Sequence, residues 1–230
     1  MAELRDFSAV IFDLDGLVLD TESTYQHAWQ QAAALMGYRL DYDFCSTLTG
    51  LAGTEIERML QTTCGTEFDL LAFKRLSSQC WRDFVQAHGI AVKQGFTELL
   101  ACLVQQQIPY CLATNSRLLN AQECLRLAGL ADVFSLMVTR DDVQKPKPDP
   151  EIFLMAADLL QVPVCQCLVF EDSPAGVLAA RRAGARVMMI PSVEIVAPDI
   201  FALCDGVALD MHEAVTFLQR DRFAPEIAEP

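Results

Sequence analysis

With 230 residues and 52% hydrophobic content, the chain is long enough for one large core or a core carrying an inserted subdomain. Seventeen Lys and Arg against 31 Asp and Glu leave a net charge of −14, which argues against nucleic acid and anionic membranes as partners. The nine cysteines are scattered, odd in number and form no C-x-x-C pair, so they argue against a disulfide framework and fit a reducing cytoplasm.

At the N-terminus Glu3, Arg5 and Asp6 precede only a short apolar run, so no secretion signal is expected. No stretch approaches the roughly 18 apolar residues of a membrane span. Residues 9–12, Ala-Val-Ile-Phe, read as a buried parallel strand that ends at Asp13. From Thr21 to His88 no strand pattern is found. Amphipathic helical patterns run instead over 25–36, 55–61 and 70–85, punctuated by Gly37, Gly50, Gly53 and Gly65. Beyond them apolar strand-like runs return at 110–113, 136–138, 167–170, 187–190 and, more weakly, 206–209. Helical stretches at 118–128, 150–160, 174–183 and 211–219 separate them. Strands alternating with helices predict an α/β fold with a doubly wound parallel sheet. The helical stretch predicts an inserted all-helical cap domain at 19–90, with the core formed by 1–18 and 91–230. Hinges are expected near 17–20 and 90–94, and a frayed tail from Ala224.

Four segments carry chemistry. Asp13-Leu14-Asp15-Gly16 puts two carboxylates at a strand exit, where ligands of open parallel sheets bind, and Gly16 permits the kink that turns both toward one pocket. One carboxylate can attack phosphorus or hold a hard cation while the other moves protons. Thr114-Asn115-Ser116 follows a second strand. It can offer a hydroxyl and N–H groups to a phosphate, or simply cap the helix at Leu118. Lys145-Pro146-Lys147-Pro148-Asp149-Pro150 places two lysines on a proline-stiffened loop, where one ammonium can face a phosphate and a nucleophilic carboxylate. Asp149 is positioned to cap the next helix. Glu171-Asp172-Ser173-Pro174-Ala175-Gly176 supplies hard oxygen ligands of the kind Mg²⁺ takes, or an acidic first turn suited to the helix dipole.

Taken together the four segments resemble the haloacid dehalogenase-like superfamily over almost the whole chain. The D-x-D-G motif is Asp13 to Gly16, the Ser/Thr motif is Thr114, the lysine of the K-P-x-P-D form is Lys145, and the acidic pair is Glu171-Asp172. The helical insert looks like the cap of the β-phosphoglucomutase-like and sugar-phosphatase branch. The resemblance implies a phosphatase working through an aspartyl-phosphate on a small organic phosphate such as a sugar or nucleoside monophosphate. Asp13 would be the nucleophile, Asp15 the acid and base, and Lys145 the third catalytic residue. Thr114, Asn115 and Tyr25 would bind substrate. Mg²⁺ would be held by the Asp13 carboxylate, the Asp15 carbonyl and Asp172, with Glu171 joining directly or through water. The expected enzyme is a cytoplasmic monomer. Dehalogenases and phosphonate-cleaving relatives lack the acid found here at Asp15. The alternative is a phosphosugar mutase. Against it, Tyr25 stands where the mutase has a cap histidine, with His27 about 200° further round the helix, and the glycine loop of residues 49–54 lacks the mutase arginine.

Overall fold

The structure is a computed structural model and describes residues 7–48, 53–192 and 197–222. Residues 49–52 of the glycine loop and the tail from Ala224 lie outside the described residues. The described chain divides into two units, one formed by Met1–Leu19 with Val92–Pro230 and the other by Asp20–Ala91.

Six strands make one sheet in the first unit: β1 (Ala9–Phe12), β2 (Tyr110–Ala113), β3 (Met137–Val138), β4 (Cys167–Glu171), β5 (Arg186–Met189) and β6 (Gly206–Val207). All pairings are parallel and the order is β3-β2-β1-β4-β5-β6. From β1 the chain winds outward to β2 and β3, then crosses back to β4 and winds the other way. The switch point therefore lies beside β1, and the carboxyl ends of β1, β2 and β4 open on one edge. The fold is the doubly wound α/β fold that the alternating pattern predicts.

Within this unit lie α5 (Phe96–Gln105), α6 (Leu118–Leu127), α7 (Glu151–Leu160), α8 (Pro174–Ala183), the short α9 (Pro198–Phe201) and α10 (Met211–Arg222). One face of the sheet presents Ala9, Ile11, Cys111 and Val169 to apolar residues of α7 and α8, among them Ile152, Phe153 and Val177. Alternation turns Phe12 to the other face. There its ring lies 5.6 Å from Phe96, 6.1 Å from Phe134 and 5.4 Å from Phe170. All four rings are buried, each worth about 1.5–3 kcal/mol of transfer free energy.

Three helices escape the sequence reading: α5, α9 and, in the second unit, α2 (Tyr42–Leu48). The start of α5 carries no signal, because Gly95 precedes it with φ of 86° and no side chain caps it. The other two span only 4 and 7 residues, too short to display a period. Strand β5 begins one residue earlier than expected, at Arg186, whose charge disguises a backbone paired in register with Leu168.

The second unit contains α1 (Thr21–Leu35), α2, α3 (Gly53–Cys64) and α4 (Leu70–His88), with no strand among its described residues. Ala28, Ala32, Cys45, Leu48, Leu60 and Phe73 form its core. Asp20 caps α1 by accepting from Ser23 N, and Asp69 caps α4 by accepting from Ala72 N. Tyr25 stacks on Trp81 at 5.6 Å and on Trp29 at 6.3 Å, and the Trp81 indole N–H donates to Thr24. His27 faces elsewhere, its ring 4.2 Å from Phe84. Among the described residues no helix is long and apolar enough to cross a membrane.

Candidate active site

The carboxyl ends of three adjacent strands supply the site. Asp13 follows β1 and is anchored by its N–H donating to Phe170 O at 3.1 Å. The chain then turns sharply. Gly16 adopts φ of 83°, and Val18 and Leu19 both donate to Leu14 O, which closes a compact loop. Thr114 follows β2, Glu171 ends β4 and Asp172 succeeds it. Asp13, Thr114, Glu171 and Asp172 are all buried.

Lysine 147 joins them from the loop before α7. Its Nζ donates to Asp13 Oδ1 at 2.5 Å, to Glu171 Oε1 at 2.7 Å and to Ala113 O at 2.8 Å, and lies 4.9 Å above the Phe153 ring. The sequence reading assigned this position to Lys145, and the structure corrects it. The Lys145 side chain is 75% exposed and its nearest acidic partner is Asp149 at 3.8 Å, whereas that of Lys147 is 3% exposed. Both lysines start a Lys-Pro-x-Pro-acid string, 145–149 and 147–151, so the local pattern alone does not separate them. Burial does.

The Lys147 loop is held at several points. Glu151 carboxylate oxygens accept from Gln144 N and Lys145 N, Arg182 donates to Pro148 O, and Asp149 N donates to Pro146 O. Asn115 Oδ1 accepts from Lys147 N at 3.0 Å, and its Nδ2 reaches Lys147 O at 3.5 Å. Asn115, expected to contact phosphate, has its amide group against the backbone of the Lys147 loop. Asp149 Oδ1 accepts from Glu151 N, at the first turn of α7.

Asp15 receives 2.7 Å and 3.4 Å hydrogen bonds at Oδ2 from Ser116 Oγ and Thr114 Oγ1. Ser116 N in turn donates to Thr114 Oγ1 at 2.9 Å. Ser116 was not singled out from the sequence, although it lies two residues beyond Thr114 in a segment that was. Tyr25 lies in the helical unit, within the aromatic stack described above.

The Asp13 carboxyl is raised from 3.8 to about 8: burial is the largest cause, Lys147 opposes it, and Glu171 and Asp15 add to it. Burial alone would lower the Lys147 ammonium, but the carboxylates of Asp13 and Glu171 outweigh it and hold it above its usual range. Oxygens of Asp13, Glu171 and Asp172 lie within 4.8 Å of one another. The three converging carboxylates form a hard, all-oxygen donor set suited to a cation such as Mg²⁺. A cation there would also draw the Asp13 carboxyl back toward its ionised form.

The family model for haloacid dehalogenase-like hydrolases matches residues 7–184. A phosphorylated carbohydrates phosphatase from Thermotoga maritima is 32% identical over 222 residues, covering 96% of this chain and 98% of that protein. A β-phosphoglucomutase from Bacillus subtilis is 32% identical over 182 residues, covering 76% of this chain and 80% of its own. The fold is shared with a HAD family hydrolase from Deinococcus radiodurans R1, solved with bound phosphate and sodium. That likeness has a TM-score of 0.82 at 24% identity, with 94% of this chain and 96% of the other covered.

Proposed function

The chain belongs to the haloacid dehalogenase-like hydrolases, and from that premise we propose that it is a magnesium-dependent phosphatase acting on a small phosphate monoester of the sugar or nucleoside class. One observation carries the reading. Asp13, at the mouth of the sheet, is gripped by a buried ammonium and lies in a cluster of carboxylate oxygens within 4.8 Å. Such a site repels anions unless cations reverse its field, and phosphoryl transfer needs that reversal together with fixed positions.

In the proposed sequence Asp13 attacks phosphorus and forms an acyl phosphate while the ester oxygen departs. Asp15 gives that oxygen its proton. The Asp15 carboxylate then takes a proton from water, which attacks the same phosphorus, releases inorganic phosphate and restores Asp13. Ser116 holds the Asp15 carboxylate in place between these transfers. Lys147 offsets charge on the transferring group, and Thr114 with the following N–H groups binds its oxygens. Mg²⁺, held by Asp13, Asp172 and the Asp15 carbonyl, with Glu171 joining directly or through water, would screen repulsion between the carboxylates and the phosphate.

The relatives support a phosphorylated sugar as the first substrate to try: one is named for phosphorylated carbohydrates, the other for a phosphoglucose. Selection of the leaving group is assigned to the helical unit, where Tyr25 is the first residue to vary. The test is a panel of sugar and nucleoside monophosphates scored for released phosphate with and without Mg²⁺, and for isomerised ester. Free phosphate that vanishes on chelation and in Asp13→Asn is expected. Isomer in its place establishes the mutase. Wild-type turnover in Asp13→Asn, or after exhaustive chelation, overturns the assignment.

A further inference from the structure

The hydrogen-bonded ladder between β2 and β3 continues past the ends of both strands. Thr114 N donates to Val138 O at 3.0 Å, and Arg140 N donates to Ser116 O at 3.0 Å. The backbone of Ser116, whose hydroxyl meets Asp15, is therefore held by Arg140. The guanidinium of the same residue reaches forward along the chain. Its Nη1 donates to Val143 O at 2.6 Å and its Nη2 to Gln144 O at 3.3 Å.

Arg140 is committed to backbone although two carboxylates follow it directly in sequence. Asp141 accepts from Leu118 N at 3.0 Å and lies 3.9 Å from Arg117. Asp142 accepts from Thr139 N and Thr139 Oγ1, which closes the turn over 139–142 without the Arg140 side chain. What that side chain adds lies further on, in the approach to Lys147. Gln144 is gripped on both sides: its N–H donates to Glu151 and its carbonyl accepts from Arg140. Lys145 N also donates to Glu151, and Lys147 N donates to Asn115. A cation at the carbonyls and a carboxylate at the N–H groups favour the same orientation of the backbone between them, and charged partners make the stronger hydrogen bonds. The planar fork of arginine offers two donors to two successive carbonyls, where the ammonium of lysine is a single point of charge.

We infer that Arg140 is a positioning residue: its guanidinium clamps the carbonyls of Val143 and Gln144 and so sets where Lys147 enters the site. The catalytic consequence rests on the phosphatase reading; the clamp itself does not.

A cycle of variants read by released phosphate tests the route. Arg140→Ala should slow turnover by about tenfold, since small displacements of a catalytic group carry large rate penalties. In a Lys147→Ala background the same change should cost less than about twofold, because the group it positions is gone. A second tenfold loss in that background is what a general structural defect would give, and it overturns the inference. So does turnover in Arg140→Ala within twofold of wild type. Arg140→Lys, which keeps a charged donor for one carbonyl, should be at least about threefold faster than Arg140→Ala, and a lysine variant no faster counts against the clamp. Arg126→Ala is the control. Its pair with Glu123 is exposed on α6, so turnover should stay within about twofold of wild type. If Arg140→Ala does not fold, Arg140→Gln replaces it in the cycle.

Amide hydrogen exchange reads the clamp without turnover. The N–H groups of Gln144, Lys145 and Lys147 are those bonded to Glu151 and Asn115. In Arg140→Ala they should exchange about tenfold faster, with the N–H groups of β1 unchanged. Exchange at the three within twofold of wild type overturns the inference. A wild-type protein that releases no phosphate from any ester refutes the phosphatase reading, and the exchange rates then judge the clamp by themselves.

Discussion

Replacing Lys147 by Ala and Lys145 by Ala, one at a time, distinguishes two lysines that differ by two positions in sequence. Lys147 Nζ lies 2.5 Å from Asp13 and 2.7 Å from Glu171. At an effective dielectric of about 20, each pairing represents roughly 6 kcal/mol of attraction, largely offset by the cost of taking the charges out of water. Removing one partner of such a buried pair costs about 3–5 kcal/mol, because the remaining charges stay buried without compensation. Part of that loss is recovered by protonation of Asp13, whose carboxyl already sits near 8. A fall in stability of about 2–4 kcal/mol is therefore expected, with turnover reduced by about 10²–10⁴. Lys145 is 75% exposed and 3.8 Å from Asp149, a pairing worth at most about 1 kcal/mol, so Lys145→Ala should leave turnover within about twofold. Released phosphate from an aryl phosphate and urea denaturation measure the two quantities. Lys145→Ala abolishing turnover, or Lys147→Ala retaining it within threefold, would refute the assignment and the reasoning from burial behind it.

Asp13→Asn should abolish turnover and flatten the pH dependence of stability of the chelated protein. The Asp13 carboxyl rises from 3.8 to about 8 on folding, so the folded state binds the proton more tightly and loses stability as pH climbs between those values. Asn removes that slope, and melts from pH 5 to 8 with chelator that show an unchanged slope would contradict the account. For the same reason Mg²⁺ affinity should rise with pH toward about 8, with proton uptake by buffer as the cation binds. Calorimetry in two buffers of different ionisation enthalpy checks this, and a flat affinity between pH 6 and 8 would count against it. Phe12→Ala, at the centre of the buried aromatic group, should cost about 3–5 kcal/mol by chemical denaturation with no specific loss of Mg²⁺ binding.

What the sequence revealed follows from the range over which each feature is specified. The strands β1, β2 and β4 are buried on both faces, so they read as uninterrupted apolar runs, and the residues at their ends could be named before any coordinates. Asp13, Asp15, Thr114 and the Glu171-Asp172 pair are legible in this way. Lys147 was missed because its distinguishing property is its distant surroundings, Asp13 134 residues away and Glu171 24 residues away. Gly176 was quoted within a motif but its purpose was invisible, since the Glu171 carboxylate that a Cβ there would strike lies on the preceding strand. The surroundings of Asn115 depend on distant chain in the same way. A side-chain amide beside a phosphate motif can face either ligand or backbone, and only the course of the loop near Lys147 decides. Helix α5 has no capping side chain, so its start carries no local signal.

The laced loop around Lys147 has a consequence for how fast such a site can work. Glu151, Asn115 and Arg182 tie its backbone down before any ester arrives. Fixed dipoles and charges need no rearrangement when electron density shifts during a reaction, whereas solvent must turn its molecules each time. In a chain of net charge −14, keeping one cation motionless removes that reorientation from the barrier where it would be largest.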